Sequence, residues 1–293
     1  MPLSGADRCA PAAQRRGDPL PATAAPVSRW LLIEQPGHWG RDALQSRLPP
    51  EVAGALTSAA ARAGVRIVVV RRPGRSVAIE SRAWAYVDSR PGRESVRWGR
   101  YVDHAELLGA PLQGVAGRPD ARPVYLVCVH GRHDTCCAIR GRPVAAALAH
   151  RRPGQVWECS HVGGDRFAAN AVVLPEGLYY GHVTVDSAGE VISAYDAGNV
   201  FLPLLRGRSS LEAPVQAAQH HARLQLDEPR IAALAPRRVS QTAPKTWRVV
   251  LAHGDREVAV SVRAELAPPE RLTCSSGGVE SVQVFRLAGW ELD

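Results

Sequence analysis

The sequence of 293 residues has no long apolar run. Its apolar stretches are only a few residues long, whereas a membrane-spanning helix needs about 20 consecutive apolar residues. Residues 1–27 are rich in alanine, proline and arginine but contain no continuous apolar segment of the kind that a secretory signal requires. We therefore expect a cytoplasmic protein that has no membrane partner.

Lysine is almost absent, since Lys245 is the only one. Arginine therefore carries nearly all of the positive charge that gives the chain a net charge of +8 and a pI near 9.6. A nucleic-acid-binding surface would gather basic and aromatic residues into one stripe. Here the arginines are spread along the whole chain, and the composition predicts no nucleic-acid partner.

Cysteine is scarce as well, with six residues in the whole chain, which is too low a density for a disulfide scaffold. Four of the six nevertheless lie between residues 128 and 159. Cysteines that serve only as small apolar core residues would be scattered along the chain. The clustering indicates a metal site or a redox site.

Several catalytic motifs are missing. The sequence contains no phosphate-binding loop of the Walker type, no dinucleotide-binding glycine fingerprint after the first predicted strand and no His-Glu-x-x-His zinc-protease motif. It also lacks the Gly-x-Ser-x-Gly nucleophile elbow of serine hydrolases. These absences argue against nucleotide-dependent, zinc-protease and serine-hydrolase chemistry.

The pattern of apolar residues predicts the same order of elements twice: a strand, a helix, a second strand and an antiparallel pair. Equivalent segments of the two copies are about 90 residues apart, which indicates an internal repeat. We infer an α/β chain of two tandem modules with a small β-rich C-terminal appendage. The predicted parts are a flexible, proline-rich N-terminal arm over 1–27, modules over 28–115 and 120–226, a linker over 227–245 and a β-rich region over 246–293.

Potential metal ligands follow two neighbouring strands of the second module. Cys128 ends one predicted strand, and Cys137 lies at the far side of the glycine-containing loop that follows it. His161 and Asp165 lie on the loop after the next strand. Two adjacent loops at one end of a sheet, each with two ligands, can surround an iron-sulfur or zinc centre.

Between these last two residues lie Gly163 and Gly164, which permit backbone conformations and a close approach that side chains would block. Amide N–H groups could thereby reach a bound cluster. A helix predicted to begin near Pro143 would direct its positive end toward a negatively charged group.

The residues of this region resemble a known family. The pattern Cys-x-His-Gly-x-x-Asp-x-Cys-Cys-Ala-x-x-Gly-x-Pro, followed by Trp-Glu-x-Ser-His-x-Gly-Gly and Arg-Phe-Ala, is similar to that of the sucrase/ferredoxin-like family of thioredoxin-like ferredoxins. The resemblance covers most of residues 28–225. It implies tandem thioredoxin-like modules and a 2Fe-2S cluster, with Cys128 and Cys137 on one iron and His161 on the other.

The sequence departs from the family pattern at the fourth ligand. The family's motif His-x-Gly-Gly-His ends here in Asp165 instead of a second histidine. Three outcomes follow: Asp165 binds iron through oxygen, Cys159 or Cys136 takes its place, or the site is weakened or lost. We favour Asp165, and we expect this harder ligand to lower the reduction potential relative to a site with two histidines.

The leading interpretation is an electron-transfer protein, rather than a catalyst, that exchanges single electrons with an unidentified redox partner protein. A second hypothesis is a thiol-disulfide or peroxide redox enzyme that uses Cys136 or Cys137. A third is a zinc-binding module that uses the same four ligands. The other candidates are expected to have structural roles only: Cys159 packs in the core, His130 and His133 shape the loop or face solvent, and Cys9 and Cys274 belong to no motif.

Overall fold

The computed structural model describes residues 7–74 and 80–292, which contain five α-helices. In chain order these are α1 (Cys9–Arg16), α2 (Pro50–Ala63), α3 (Thr135–Arg151), α4 (Ser187–Asp196) and α5 (Ala213–Leu226). Short 3-10 helices cover His104–Leu108, Ala110–Gln113, Asp165–Phe167 and Leu202–Leu204. No helix in this described part of the chain is both long enough and apolar enough to cross a membrane.

The described residues also form two sheets, one of ten strands and one of four. The large sheet contains β1 (Arg29–Glu34), β2 (Arg66–Arg71), β3 (Arg82–Asp88), β4 (Ser95–Tyr101), β5 (Arg118–Asp120), β6 (Val124–Cys128), β7 (Val156–Cys159), β8 (Ala171–Leu174), β9 (Leu178–Tyr180) and β10 (Leu205–Arg208). The small sheet contains β11 (Pro236–Ala243), β12 (Thr246–His253), β13 (Arg256–Leu266) and β14 (Gln283–Leu292).

The strand order of the large sheet is β10-β9-β8-β6-β7-β2-β1-β3-β4-β5, and it contains the same arrangement twice. β1 is parallel to β2 and antiparallel to β3, which pairs with β4. β6 has the same relation to β7, β8 and β9. The chain is thus an α/β protein in which one strand arrangement occurs twice in tandem, with a β-rich C-terminal appendage, as the sequence predicted.

The two modules share one sheet because β2 and β7 pair as antiparallel neighbours, with Val70 opposite Cys159. Hydrogen bonds continue beyond β7, where Ser160 N donates to Val69 O at 2.8 Å. The segment that leads to His161 is therefore attached to the first module. The module boundaries at 115 and 120 remain predictions.

Successive side chains of a strand point to opposite faces of the sheet, so a separate apolar core forms on each face. Leu31 and Ile33 of β1 pack with α2 on one face, whereas Trp30 and Leu32 belong to the core of the opposite face. β6 is buried along its whole length, which is typical of a strand covered on both sides. Its last residue, Cys128, lies on the same face as Trp30.

The predicted flexible arm over 1–27 is wrong for the described residues of that segment. Residues 9–16 form α1, in which Cys9, Ala10 and Ala13 are fully buried. Pro11 is compatible with this helix because it lies in the first turn, where its missing N–H has no partner to lose. The small side chains allow α1 to pack closely against the 3-10 helix Asp165–Phe167.

The predicted linker over 227–245 is also wrong in part, because residues 236–243 form β11, the edge strand of the small sheet. Its side chains are almost all exposed, so it has no apolar alternation from which a strand could be predicted. Backbone pairing with β12 defines it instead. The small sheet packs against α5 through Val215, Val249 and Val260.

Helix α3 begins at Thr135 and not near Pro143, which lies inside it. The carboxylate of Asp134 provides the N-cap and accepts a hydrogen bond from Cys136 N at 2.7 Å. Further along, Gly141 touches the end of β6 so closely that a Cβ atom there would overlap the carbonyl oxygen of Cys128. The helix is thus fixed against the strand that carries a predicted ligand.

We predict that Gly141→Ala lowers the free energy of unfolding by about 2 kcal/mol, the cost typical of overpacking. The matched control is Gly54→Ala in α2, where a Cβ atom would meet no atom within 4 Å. That substitution should stabilise the protein by about 0.5 to 1 kcal/mol through helix propensity. Urea unfolding measures both, and equal effects at the two glycines would contradict the close contact between α3 and β6.

Candidate metal centre

The four predicted ligands lie at one end of the sheet, beyond the carboxyl ends of β6 and β7. Cys128 is the last residue of β6, and Cys137 lies in the first turn of α3. His161 follows β7, and Asp165 begins the short helix Asp165–Phe167. The carboxyl ends of neighbouring parallel strands are a common place for a site in α/β sheets.

Their side chains converge. Ligand atoms of Cys128, Cys137 and His161 all lie within 4.8 Å of one another. The carboxylate of Asp165 adjoins them, with Oδ1 at 3.3 Å from Cys137 Sγ and 3.0 Å from His161 Nδ1. The structure therefore brings together two sulfurs, an imidazole and a carboxylate.

The chemistry of these four donors fits a bound metal group. A buried ring nitrogen that lacks a hydrogen bond fits it as well. Nδ1 of His161 is buried, yet its contact with Asp165 lacks the geometry of a hydrogen bond, and it has no other hydrogen-bond partner among the described residues. A buried ring nitrogen without a hydrogen bond is unfavourable unless it binds something else. Two cysteine sulfurs facing imidazole and carboxylate donors suit iron or zinc.

Burial and neighbouring groups shift the pKa values of all four predicted ligands. A hydrogen bond from Cys137 lowers the pKa of Cys128, and the same interaction together with burial raises the pKa of Cys137. Burial opposes the charge of His161, but Asp165 and Cys128 outweigh it and raise the His161 pKa to about 9. Burial would likewise raise the pKa of Asp165, yet the neighbouring His133 and His161 hold it well below its usual value.

The first module positions both loops of the site. Arg66 of β2 donates a hydrogen bond from Nη2 to the carbonyl oxygen of His161 at 3.0 Å. On the other loop, Nε2 of His130 contacts the carbonyl oxygen of Gly40 at 2.7 Å. His130 is buried, so the expectation that it shapes the loop is confirmed.

Gly163 and Gly164 have positive φ angles of 99° and 82°, the left-handed conformation expected to favour glycine. The guanidinium of Arg206 occupies the space beside Gly164. Nη1 of Arg206 donates to Gly163 O at 2.9 Å and to Asn170 Oδ1 at 2.7 Å. This buried arginine fixes the loop, while contact of the two glycines with a cofactor remains a prediction.

The sequence interpretation gave His133 a role in shaping the loop or facing solvent, but the structure places it in the site. Its ring stacks on His161 with 3.6 Å between the centroids, and its Nε2 lies 3.5 Å from Asp165 Oδ2. Its side chain is 35% exposed, so it covers the site from the solvent side. Its position just before Cys136 and Cys137, in the loop after β6, is the sequence feature that could have identified it as a site residue.

The two cysteines considered as substitutes for Asp165 lie elsewhere. Cys159 is fully buried in the core, beside Cys128 in the sheet, and it belongs to no potential metal-binding group of the described residues. The expectation that it packs in the core is therefore confirmed. Cys136 turns away from Cys137 and joins Cys9 and Cys274. Cys9 and Cys274, which belong to no sequence motif, thus meet in the structure, with their sulfurs 3.4 Å apart.

One side of the site is buried and the other reaches the surface. Cys128 and Cys137 are no more than 1% exposed, whereas the side chain of His161 is 25% exposed. A depression of about 410 Å³ adjoins the exposed side, and its lining combines His133 and His161 with Leu44 and Ile67 of the first module. The histidines thus lie between the cysteines and an open surface.

Fold and site together define an α/β protein with a cysteine- and histidine-containing candidate metal centre. The sucrase/ferredoxin-like family matches residues 20–207. This match covers more than half of the chain, and the protein belongs to that family.

Among solved structures, two variants of the thioredoxin-like 2Fe-2S ferredoxin from Aquifex aeolicus, each with a cysteine replaced by serine, are similar to part of the chain. Each is 19% identical in sequence and aligns over 29% of this chain and 97% of its own, with a TM-score of 0.26. No curated protein matches the sequence.

We predict that His161 of the metal-free protein titrates near pH 9 and that Asp165→Asn lowers this pKa. Without the carboxylate charge, only Cys128 still favours the imidazolium against the effect of burial. Nitrogen-detected NMR of the ring measures both values, with solvent-exposed His38 as an internal reference.

The same shifts predict how the free energy of unfolding depends on pH. His161 has a raised pKa, so its stabilising contribution is complete below its unfolded value of about 6.5 and is lost as the pH rises toward 9. Asp165 has a lowered pKa, so its contribution is present above about pH 4 and is lost in stronger acid. An unchanged His161 titration in Asp165→Asn would contradict the pairing.

Proposed function

We propose that this protein is a 2Fe-2S ferredoxin that transfers single electrons to and from a redox partner protein. The observation that carries the proposal is the convergence of Cys128 and Cys137, both buried, with His161 and Asp165 on the solvent side. Membership of the sucrase/ferredoxin-like family supports it. A 2Fe-2S cluster, when bound, accepts and releases one electron.

In this proposal the cysteines hold the inner iron. Cys128 and Cys137 belong to the buried core, which excludes water from that side and protects the sulfurs from oxidation. The amino end of α3 contributes a positive dipole next to Cys137, which offsets part of the negative charge of the thiolates. Arg66 and Arg206 fix the backbone of the opposite loop.

His161 and Asp165 would hold the outer iron, on the partly exposed side of the site. Asp165 is favoured as the fourth ligand because its Oδ1 lies next to both Cys137 Sγ and His161 Nδ1. His133 contacts Oδ2 of the same carboxylate and orients it. The ring of His133 is a second possible ligand for the same iron. Variants of Asp165 and of His133 therefore decide which of the two residues binds it.

The partner docks at the depression beside His133 and His161, because these partly exposed side chains lie between the buried cysteines and the surface. The first module supplies much of the lining of this depression and thus contributes to partner recognition.

None of the six cysteines forms a disulfide bond. We propose the cytoplasm as the location because its reducing conditions keep thiols free.

The proposal predicts that the full chain purified without air is brown and contains two iron atoms and two acid-labile sulfides. Reduction with dithionite should bleach its visible absorption and produce the paramagnetic signal of a one-electron-reduced cluster. Cys137→Ser should remove most of the iron, whereas Cys159→Ala, a buried cysteine outside the site, should keep it. A colourless protein whose only metal is zinc bound by these residues would contradict the proposal.

The fourth ligand can be assigned with three variants. Asp165→Ala should lose at least half of the iron, and Asp165→His should keep the iron and raise the reduction potential, because a neutral ligand replaces an anionic one. His133→Ala should keep both the iron and the visible spectrum. If His133→Ala loses the cluster and Asp165→Ala retains it, His133 is the ligand and our assignment of Asp165 is wrong.

A further inference from the structure

A second group of metal-binding side chains lies next to the candidate cluster site, on the other side of the first turn of α3. We call it the three-cysteine site; its members are Cys9, Asp134, Cys136 and Cys274. We propose that the three-cysteine site binds one Zn²⁺ ion with a structural role. This inference is independent of the electron-transfer function, because the ligands of the two sites are different residues.

The distances match a single tetrahedral ion. Cys274 Sγ lies 3.4 Å from Cys9 Sγ and 3.6 Å from Cys136 Sγ. The Asp134 carboxylate oxygens are 3.6 and 3.7 Å from Cys9 Sγ. Tetrahedral zinc with Zn–S bonds of 2.3 Å requires sulfurs about 3.8 Å apart, so only small movements would admit the ion.

The ligands come from three distant parts of the chain. Cys9 is the first residue of α1, Cys136 lies in the first turn of α3, and Cys274 belongs to the segment between β13 and β14. Cys9 and Cys274 are 265 positions apart. Three thiols that approach from separate segments without forming a disulfide are the arrangement expected of a structural metal site.

Surrounding hydrogen bonds fix the carboxylate and leave a position for the metal. Oδ2 of Asp134 accepts hydrogen bonds from Thr273 Oγ1 at 2.8 Å and from Cys274 N at 2.5 Å. Oδ1 accepts from Cys136 N at 2.7 Å, which leaves one lone pair of Oδ1 for the ion. Such outer contacts orient the ligands of protein metal sites.

The environment also tolerates the negative charge of three thiolates. The amino ends of α1 and α3 both meet at the site, and their dipoles favour anions. The backbone N–H of Cys9 donates to Cys274 Sγ at 3.3 Å, a contact that stabilises a metal-bound sulfur. Binding releases the protons of neutral thiols to solvent and involves no electron transfer.

The donor set favours zinc over the other common ions. Three sulfurs and one carboxylate oxygen are too soft for Mg²⁺ or Ca²⁺, which bind through oxygen. Cys274 is the partly exposed member, so the ion has a path of entry. The other two cysteines are buried, which suits an ion that stays bound.

The ion would connect the two terminal regions of the chain to the start of α3. Because Cys136 and Cys137 are consecutive, a metal on Cys136 also fixes the backbone that presents Cys137 to the candidate cluster. α1 packs in turn against Asp165–Phe167, so the same ion stabilises the side of the cluster site that carries Asp165. A zinc ion in the three-cysteine site would thus fix the two backbone segments that carry Cys137 and Asp165.

The test is metal analysis of the full chain, purified without air in the presence of a thiol reductant and treated with EDTA. We expect one zinc per chain, counted separately from iron. Cys274→Ser should lower the zinc content at least fivefold, and we choose it because this cysteine is the most exposed of the three. Cys159→Ala is the matched control and should retain one zinc.

Cobalt provides a second measurement that does not depend on activity. Metal-depleted protein titrated with Co²⁺ should develop a thiolate-to-cobalt charge-transfer band that saturates at one equivalent and is reduced in Cys274→Ser. Zinc that is lost to EDTA, or that is equally abundant in Cys274→Ser, would overturn the inference. A zinc-free protein in which Cys9 and Cys274 form a disulfide would also overturn it.

Failure of this inference and failure of the proposed function have different signatures. Full iron without zinc would leave the ferredoxin proposal standing and remove the three-cysteine site. One zinc without iron, lost in Cys274→Ser and retained in Cys137→Ser, would support the three-cysteine site and contradict the cluster.

Discussion

The position of α3 against the end of β6 is the constraint on which the candidate metal centre depends. Asp134 caps the helix directly after a short loop, and Gly141 lets the helix touch the carbonyl of Cys128. These two contacts place Cys137 beside Cys128 and direct Cys136 to the other side. A later start at Pro143 would leave both cysteines in a loop, without fixed directions for their sulfurs.

The first module has the same strand arrangement as the second, but it contributes to the candidate site by positioning the loops that carry the ligands. It supplies β2, which pairs with the ligand-bearing β7, and Arg66, which holds the carbonyl of His161. Gly40 holds the loop after β6 through His130. A module that contributes none of the four predicted ligands therefore helps to set their geometry, because the pairing of β2 with β7 and the contacts of Arg66 and Gly40 fix both loops.

Much of the fold followed from the sequence, because the strands of the large sheet have strong local patterns. The repeat and its antiparallel pairs were predicted from apolar periodicity. The convergence of Cys128, Cys137, His161 and Asp165 was predicted from their places after two neighbouring strands. Three features could not be predicted. α1 is too short and too rich in alanine to show a clear apolar stripe, β11 is defined by backbone pairing alone, and the meeting of Cys9 with Cys274 is a contact across nearly the whole chain.

The central claim is that two different pairs of ligands surround a two-iron cluster, one of sulfur and one of nitrogen and oxygen. Mössbauer spectroscopy of iron-57-enriched protein, oxidised and then reduced by one electron, tests it most directly. We predict two inequivalent iron sites in equal amounts, with the added electron localised on the iron that is not bound by cysteine. Two equivalent all-sulfur sites, or a single mononuclear iron, would contradict this account.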